Sequence, residues 1–198
     1  SADASGDRSL VRQQSATMES LKEEILRLNQ ELDGTPGLRE DLQTALPKIE
    51  KVFASQIERG DVGVILDRRG LVLTVQDHAL FDTEGAQFTS AGEEVLEKVS
   101  TLLVSDLPKN RVIVEGHTDD QPIENADEVT NWEYSIGRAT AILHYLIDVK
   151  ELSPGRFGVA GFAEYRPVTS NDTEEGRDRN RRVEIVISPE RSFDASSR

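Results

Sequence analysis

Val114-Glu115-Gly116-His117-Thr118-Asp119-Asp120, followed after an acidic loop by Asn131-Trp132-Glu133-Tyr134-Ser135-Ile136-Gly137-Arg138-Ala139, is the stretch on which the fold turns. Residues 112–115 are β-branched or extended in character and read as a short strand. Thr130 with Glu133 has the spacing of a capping box, which opens a helix running to about residue 149. A carboxylate therefore closes a strand, and an arginine stands in the second turn of the next helix. An acid and a guanidinium held by separate elements suit a zwitterionic group with both an ammonium and a carboxylate. The plain alternative is that Asp119 and Arg138 form an ordinary ion pair with each other. The pairing indicates binding and does not by itself indicate a reaction.

Outward from this unit the periodicity is regular. Residues 62–66 and 71–75 flank Asp67-Arg68-Arg69-Gly70, a hairpin with glycine at a positive-φ position. Phe81-Asp82-Thr83-Glu84-Gly85 reads as a loop, and Ser90 with Glu93 as a capping box for a helix to about residue 103. Residues 157–162 and 183–187 supply the remaining strands. The order β-β-α-β-α-β-β predicts an α/β (α+β) fold, a two-layer sandwich with helices on one face of a single sheet. In the helix after the loop, Trp132, Ile136, Ala139, Leu143 and Leu146 form the apolar stripe expected to face that sheet. Asn131, Ser135 and Arg138 share a different face, at spacings of four and three.

Upstream the chain has another character. Residues 1–9 are small and polar, as in a disordered tail. Val11, Met18, Ile25 and Leu32 then repeat at one heptad position, and Gln14, Leu21 and Leu28 at the other. The pattern fits either a short coiled coil or an amphipathic helix packed on its own domain. Asp33-Gly34-Thr35-Pro36-Gly37 ends it. A second helical stretch carries Leu38, Leu42, Leu46, Ile49, Val52, Phe53 and Ile57, and Pro47 is expected to split or kink it. This divides the chain into a tail (1–9), a helical linker (10–59), a domain (60–190) and a second tail (191–198).

The formal net charge is −14, with 8 basic and 11 acidic residues before Gly60 and 15 and 26 after it. Such a surface repels nucleic acid, so no nucleic-acid partner is expected. Arg177, Arg179, Arg181 and Arg182 form one basic island, either a receptor for carboxylate or phosphate or a solvated strand edge. The absence of cysteine rules out a disulfide framework, a thiolate metal site and a cysteine nucleophile. His78, His117 and His144 lack metal spacing; His117 with Asp119 and Asp120 lacks a third ligand, so no metal or cofactor is expected. No nucleophile elbow or phosphate loop occurs. No run of about 18 apolar residues spans a bilayer. Because the chain does not begin with Met, it reads as a processed or truncated piece, and any membrane segment is expected upstream of Ser1.

A third motif, Asn171-Asp172-Thr173-Glu174-Glu175-Gly176-Arg177-Asp178-Arg179-Asn180-Arg181-Arg182-Val183-Glu184, completes the set. The three motifs, in this order, resemble the OmpA-like domain, a module that binds peptidoglycan without cleaving it. The resemblance covers about residues 70–188. Gly116-His117-Thr118-Asp119-Asp120-Gln121-Pro122-Ile123 with Asn131-Trp132-Glu133-Tyr134-Ser135 is more similar to the MotB branch, the wall anchor of flagellar stators. The resemblance implies a mixed sheet and a non-enzymatic ligand site for diaminopimelate of the stem peptide. In it Asp119 holds the ammonium and Arg138 the carboxylate. Asn131 and Thr118 add hydrogen bonds, Arg181 a further donor, and the loop with Glu84 a wall. It also implies a periplasmic homodimer whose absent membrane helix pairs with a MotA-type channel subunit. Tyr134 and Ile136-Gly137 depart from the usual stator pattern and leave the subfamily open. A Pal- or OmpA-like outer-membrane wall linker, the anchor of a non-flagellar motor, and a peptidoglycan hydrolase are the alternatives.

Overall fold

The computed structural model describes residues 40–82, 87–123 and 130–189. The expected tails, the heptad at 11–32, Glu84 and residues 124–129 of the acidic loop lie outside the described residues.

Five strands form one mixed sheet: β1 (Val62–Asp67), β2 (Gly70–Gln76), β3 (Val112–His117), β4 (Phe157–Gly161) and β5 (Arg182–Ile187). Their spatial order is β1-β2-β5-β3-β4; β3 and β4 run parallel and every other pair antiparallel. Asp67 pairs with Gly70, so Arg68-Arg69 is a two-residue hairpin loop, and Gly70 takes the expected positive φ of +134°. Period-two alternation sends Leu71, Leu73 and Val75, Val112 and Val114, and Val183, Ile185 and Ile187 to one face. There they meet α1 (Glu40–Val52), α4 (Ser90–Ser105) and α5 (Asn131–His144) through Leu42, Ile49, Phe53, Val95, Leu96, Val99, Leu103, Ile142 and Leu146. The predicted two-layer architecture is the observed one. No helix among the described residues is long and apolar enough to cross a membrane.

Several local expectations shift. Residues 40–58, expected in the linker, form α1 and the short α2 (Ala54–Glu58). Leu42, Ile49 and Phe53 of this stretch are fully buried in the common core, and Asp41 accepts from Asn110. Among the described residues, α1 and α2 therefore belong to the same compact unit as the sheet. Pro47 does not split α1. It lies on the exposed side, where water can satisfy the carbonyl that its missing N–H leaves free. The interruption comes instead at Phe53 (φ −98°, ψ 10°). Thr89, not Ser90, caps α4: its Oγ1 accepts from Gly92 N at 2.9 Å while Ser90 is already helical. The Thr130–Glu133 capping box forms as read, and α5 ends in a π-type turn, Tyr145–Val149. Two short helices were not foreseen: α3 (Asp77–Leu80) and α6 (Glu174–Asn180). The second is capped by Thr173, with acids in its first turn and arginines in its last, which complements the helix dipole without any apolar stripe.

Helix α5 is also rotated from expectation. Ser135, Arg138, Ala139, Ile142 and Leu146 are buried, whereas Trp132 and Ile136 are each 44% exposed. The cause is close approach to the sheet: a Cβ on Gly116 would lie 1.9 Å from the Ser135 carbonyl oxygen. One on Gly161 would lie 2.6 Å from Ser135 Oγ. The backbone of α5 is drawn so close to β3 that Ser135 and Ala139 face the strands, while Ile136 reaches only the edge strand, against Gly161.

Candidate functional site

The site lies at the ends of β3 and α5, closed on one side by the chain entering β5. Past His117 the Thr118 amide donates to the Ala163 carbonyl at 3.0 Å, fixing the exit of β3. Thr118 Oγ1 donates to the Asp119 carbonyl at 2.8 Å, and Asn131 Nδ2 approaches the same carbonyl at 3.4 Å. Thr118 and Asn131 thus shape the backbone that carries Asp119. The Asp119 carboxylate accepts from Gln121 N at 2.9 Å through Oδ1 and from Arg181 Nη1 at 2.6 Å through Oδ2. Arg181 stands one residue ahead of β5, and its other Nη reaches Glu174 at 2.8 Å and Asp178 at 3.2 Å.

Arg138 has a different acidic partner. Its Nε lies 3.0 Å from Asp77 Oδ1 and its Nη2 also meets the Tyr134 hydroxyl. The guanidinium is held between the Phe81 ring, 4.1 Å from its centroid, and the Tyr134 ring, 4.4 Å. Asp77 senses both guanidiniums, and its amide donates to the Arg181 carbonyl at 2.9 Å. Burial raises the Asp77 carboxyl above its ordinary range against the opposing pull of Arg138 and Arg181. The charges therefore form two acid–guanidinium pairs, Asp119–Arg181 and Asp77–Arg138, joined through the backbone by the Asp77 amide and the Arg181 carbonyl. Asp119 and Arg138 are 5% and 7% exposed. The plain alternative, a mutual pair, is not the arrangement. Each is already matched by a group from a third element.

Asp77 is the residue that sequence reasoning missed. It is 61 positions from Arg138 at a strand-to-helix junction, and its acidic first-turn position was the one available signal. Arg177 behaves as a structural residue, donating to the Asn171 carbonyl and to Glu174. Asn180 fastens residues 168–171 by its side-chain amide. Tyr134, a departure from the usual pattern, supplies half of the Arg138 clamp.

The opposite face of the sheet carries a second charged group. Glu115, His117 and Glu184 present ligand-type atoms within 4.8 Å of one another, all buried. Both carboxylates are already held, Glu115 by Arg69 at 2.7 Å and Glu184 by Arg69 and Arg182, each at 2.8 Å. Two guanidiniums make this a poor place for a dication, and the group reads as a paired strand network. Burial first, then the charge of Arg182, pushes His117 down from 6.5 to about 4. The unfolded chain takes up this proton below pH 6.5 and the folded chain only below about 4. The associated stability is therefore complete above pH 6.5 and is lost as pH falls toward 4. Between pH 7 and 4 the native chain is expected to lose about 3 kcal/mol more unfolding free energy than His117→Gln. Denaturant titrations across that window check it, and parallel pH profiles for the two proteins would refute the assignment.

With this geometry in view, comparison with known proteins is specific. The OmpA family model matches residues 80–181, and the chain belongs to the OmpA family. Among curated relatives it is similar to Motility protein B of Bacillus subtilis (strain 168), 34% identical over 151 residues, 76% of this chain and 58% of that protein. The chain thus spans little more than half of that relative's length. Among solved structures it is similar to a putative MotB-like protein from Desulfovibrio vulgaris. The identity is 27% and the TM-score 0.69, over 84% of this chain and 99% of the other. It is also similar to the cell wall anchor of the T6SS from Pseudomonas aeruginosa. Here the identity is 30% and the TM-score 0.63, over 73% and 99% of the two chains.

Proposed function

We propose that this domain binds peptidoglycan without cleaving it and serves as the wall anchor of a MotB-type stator. The ligand is the diaminopimelate of the stem peptide, whose free end carries an ammonium and a carboxylate on one carbon. The observation that supports this reading is two neighbouring acid–guanidinium pairs, Asp119–Arg181 and Asp77–Arg138, tied together by the Asp77 amide and the Arg181 carbonyl. A zwitterion set between them meets an acid and a guanidinium already in place. Its ammonium takes Asp119 from Arg181, and its carboxylate takes the planar donor fork of Arg138 from Asp77. Arg181, released by Asp119, keeps Glu174 and Asp178 as partners, so its charge stays matched on binding. Thr118 and Asn131 hold the Asp119 backbone, and Arg181 follows the ligand carboxylate as a second donor. None of these roles requires a nucleophile or a proton transfer, so the module is a binder rather than an enzyme.

In the full-length protein, a membrane helix upstream pairs with a MotA-type channel subunit, and the domain works in the periplasm. The heptad at 11–32 pairs two copies. The likeness to a type VI cell wall anchor supports a second reading, the anchor of a non-flagellar machine, in which the wall chemistry is the same.

The test is co-sedimentation with purified sacculi. The chain is expected to pellet with them, to be released by a soluble stem peptide containing diaminopimelate, and to leave sacculus turbidity constant. Light scattering on the same sample is expected to give twice the mass of one chain. Failure to pellet would overturn the binding assignment, falling turbidity the non-catalytic one, and a monomer mass at all concentrations the pairing.

A further inference from the structure

We propose that Trp132 and Tyr165 form a platform for a sugar ring of the glycan strand, beside the charged site. The inference rests on the peptidoglycan reading above and extends it from the stem peptide to the polymer that bears it. Trp132 was expected to anchor the core. It is instead 44% exposed, and it stacks on Tyr165, itself 66% exposed, with centroids 5.4 Å apart and an interplanar angle of 25°. Two large aromatic rings held parallel at the surface are costly to leave in water, and such patches mark contact sites. Neither ring is needed to fill the core, where Ala139, Ile142 and Leu146 do that work.

Position selects the ligand. Trp132 follows Asn131, whose amide approaches the Asp119 carbonyl, and Tyr165 lies two residues beyond Ala163, whose carbonyl holds Thr118. The platform therefore shares a rim with the charged site. In a stem peptide the third residue is linked to its sugar by about two extended residues, roughly 7–11 Å of chain. A ligand gripped by Asp119 and Arg138 thus brings its own sugar to this rim. The chemistry also matches: a pyranose ring presents a face of C–H groups that packs on an aromatic ring, with hydroxyls and N-acetyl groups around its edge. Asp120 and Gln121, which follow Asp119, and Arg166, which follows Tyr165, are exposed and offer polar atoms to those groups. The net charge of −14 disfavours a nucleic-acid base as the stacking partner.

Trp132 is the single tryptophan of the chain, so its emission reports on this surface alone. Three soluble probes separate the possibilities. They are a stem peptide with diaminopimelate, the same peptide joined to its disaccharide, and a β-1,4-linked N-acetylglucosamine tetramer. The disaccharide form is expected to bind about 3–10-fold more tightly than the bare peptide, and to change Trp132 emission where the bare peptide changes it little. Tyr165→Ala is expected to erase that ratio while leaving bare-peptide affinity unchanged, and Tyr165→Phe to restore it. Equal affinity for both forms, insensitive to Tyr165→Ala, would overturn the platform and leave the peptidoglycan reading intact. If neither peptide form binds, that reading falls, and the tetramer decides: a saturable emission change keeps the platform, and none removes it. Loss of self-association in Tyr165→Ala without any effect on sugar binding would reassign the surface to a protein contact and overturn the proposal.

Discussion

Arg138→Ala is expected to abolish co-sedimentation with sacculi and to destabilise the domain together. Two hydrogen bonds from a guanidinium to a carboxylate contribute about 1.5–3 kcal/mol each, so a loss of about 100-fold or more in affinity is anticipated. The stability effect has a separate origin. Arg138 is the partner of Asp77, whose side chain is largely buried, and removing one member of such a pair costs about 3 kcal/mol. The Asp77 carboxyl, already raised by burial, then rises further, because the charge that opposed burial is gone. The variant should therefore recover part of its deficit as pH falls, since the folded state takes up a proton that the unfolded state does not. Arg138→Lys separates charge from shape: it keeps the cation but loses the planar fork clamped by Phe81 and Tyr134. It should fold nearly normally and bind weakly. Wild-type pelleting of Arg138→Ala, with its fold verified by circular dichroism, would remove Arg138 from the site.

Gly116→Ala is the second large effect, and it alters no charge. The added methyl would stand 1.9 Å from the Ser135 carbonyl oxygen and 2.7 Å from its carbon, both backbone atoms of α5. A side chain could turn aside, but a helix has to move as a unit. Overpacking of this kind costs about 3 kcal/mol or more, roughly a 10 °C fall in midpoint for a chain of this size. Arg138 lies three residues beyond Ser135 on the displaced helix, so peptidoglycan binding should weaken as well. Gly137→Ala is the control. Nothing lies within 4 Å of its added Cβ, and it should stabilise α5 by up to about 1 kcal/mol. A Gly116→Ala protein as stable as Gly137→Ala would show that helix and sheet are not seated as described.

The elements that sequence revealed are those whose signal is local. The Thr130–Glu133 box, the Asp67–Gly70 hairpin and the alternation of 71–75 and 183–187 each depend on neighbours a few residues apart. What escaped depends on distant pairing. The partner of Arg138 is decided by where the β2 exit meets α5, which no spacing encodes. The orientation of α5 was misread because hydrophobicity pointed to Trp132 and Ile136. The deciding feature was close approach: the Ser135 backbone lies against Gly116, and Ser135 Oγ and Ile136 Cγ1 lie against Gly161. The run from 40 to 58 was legible as helix, but whether its apolar side met a partner chain or its own sheet was not, and its burial settles that for the described residues.

The placement of β5 has one further implication. The last strand made by the ribosome is the middle one of the sheet, between β2 and β3. Until it is threaded in, the β1–β2 hairpin and the β3–α5–β4 unit have no hydrogen-bonded connection across that gap. Closure therefore waits for β5, and a chain cut before Arg182 has two half-sheets with open edges where a keystone should sit.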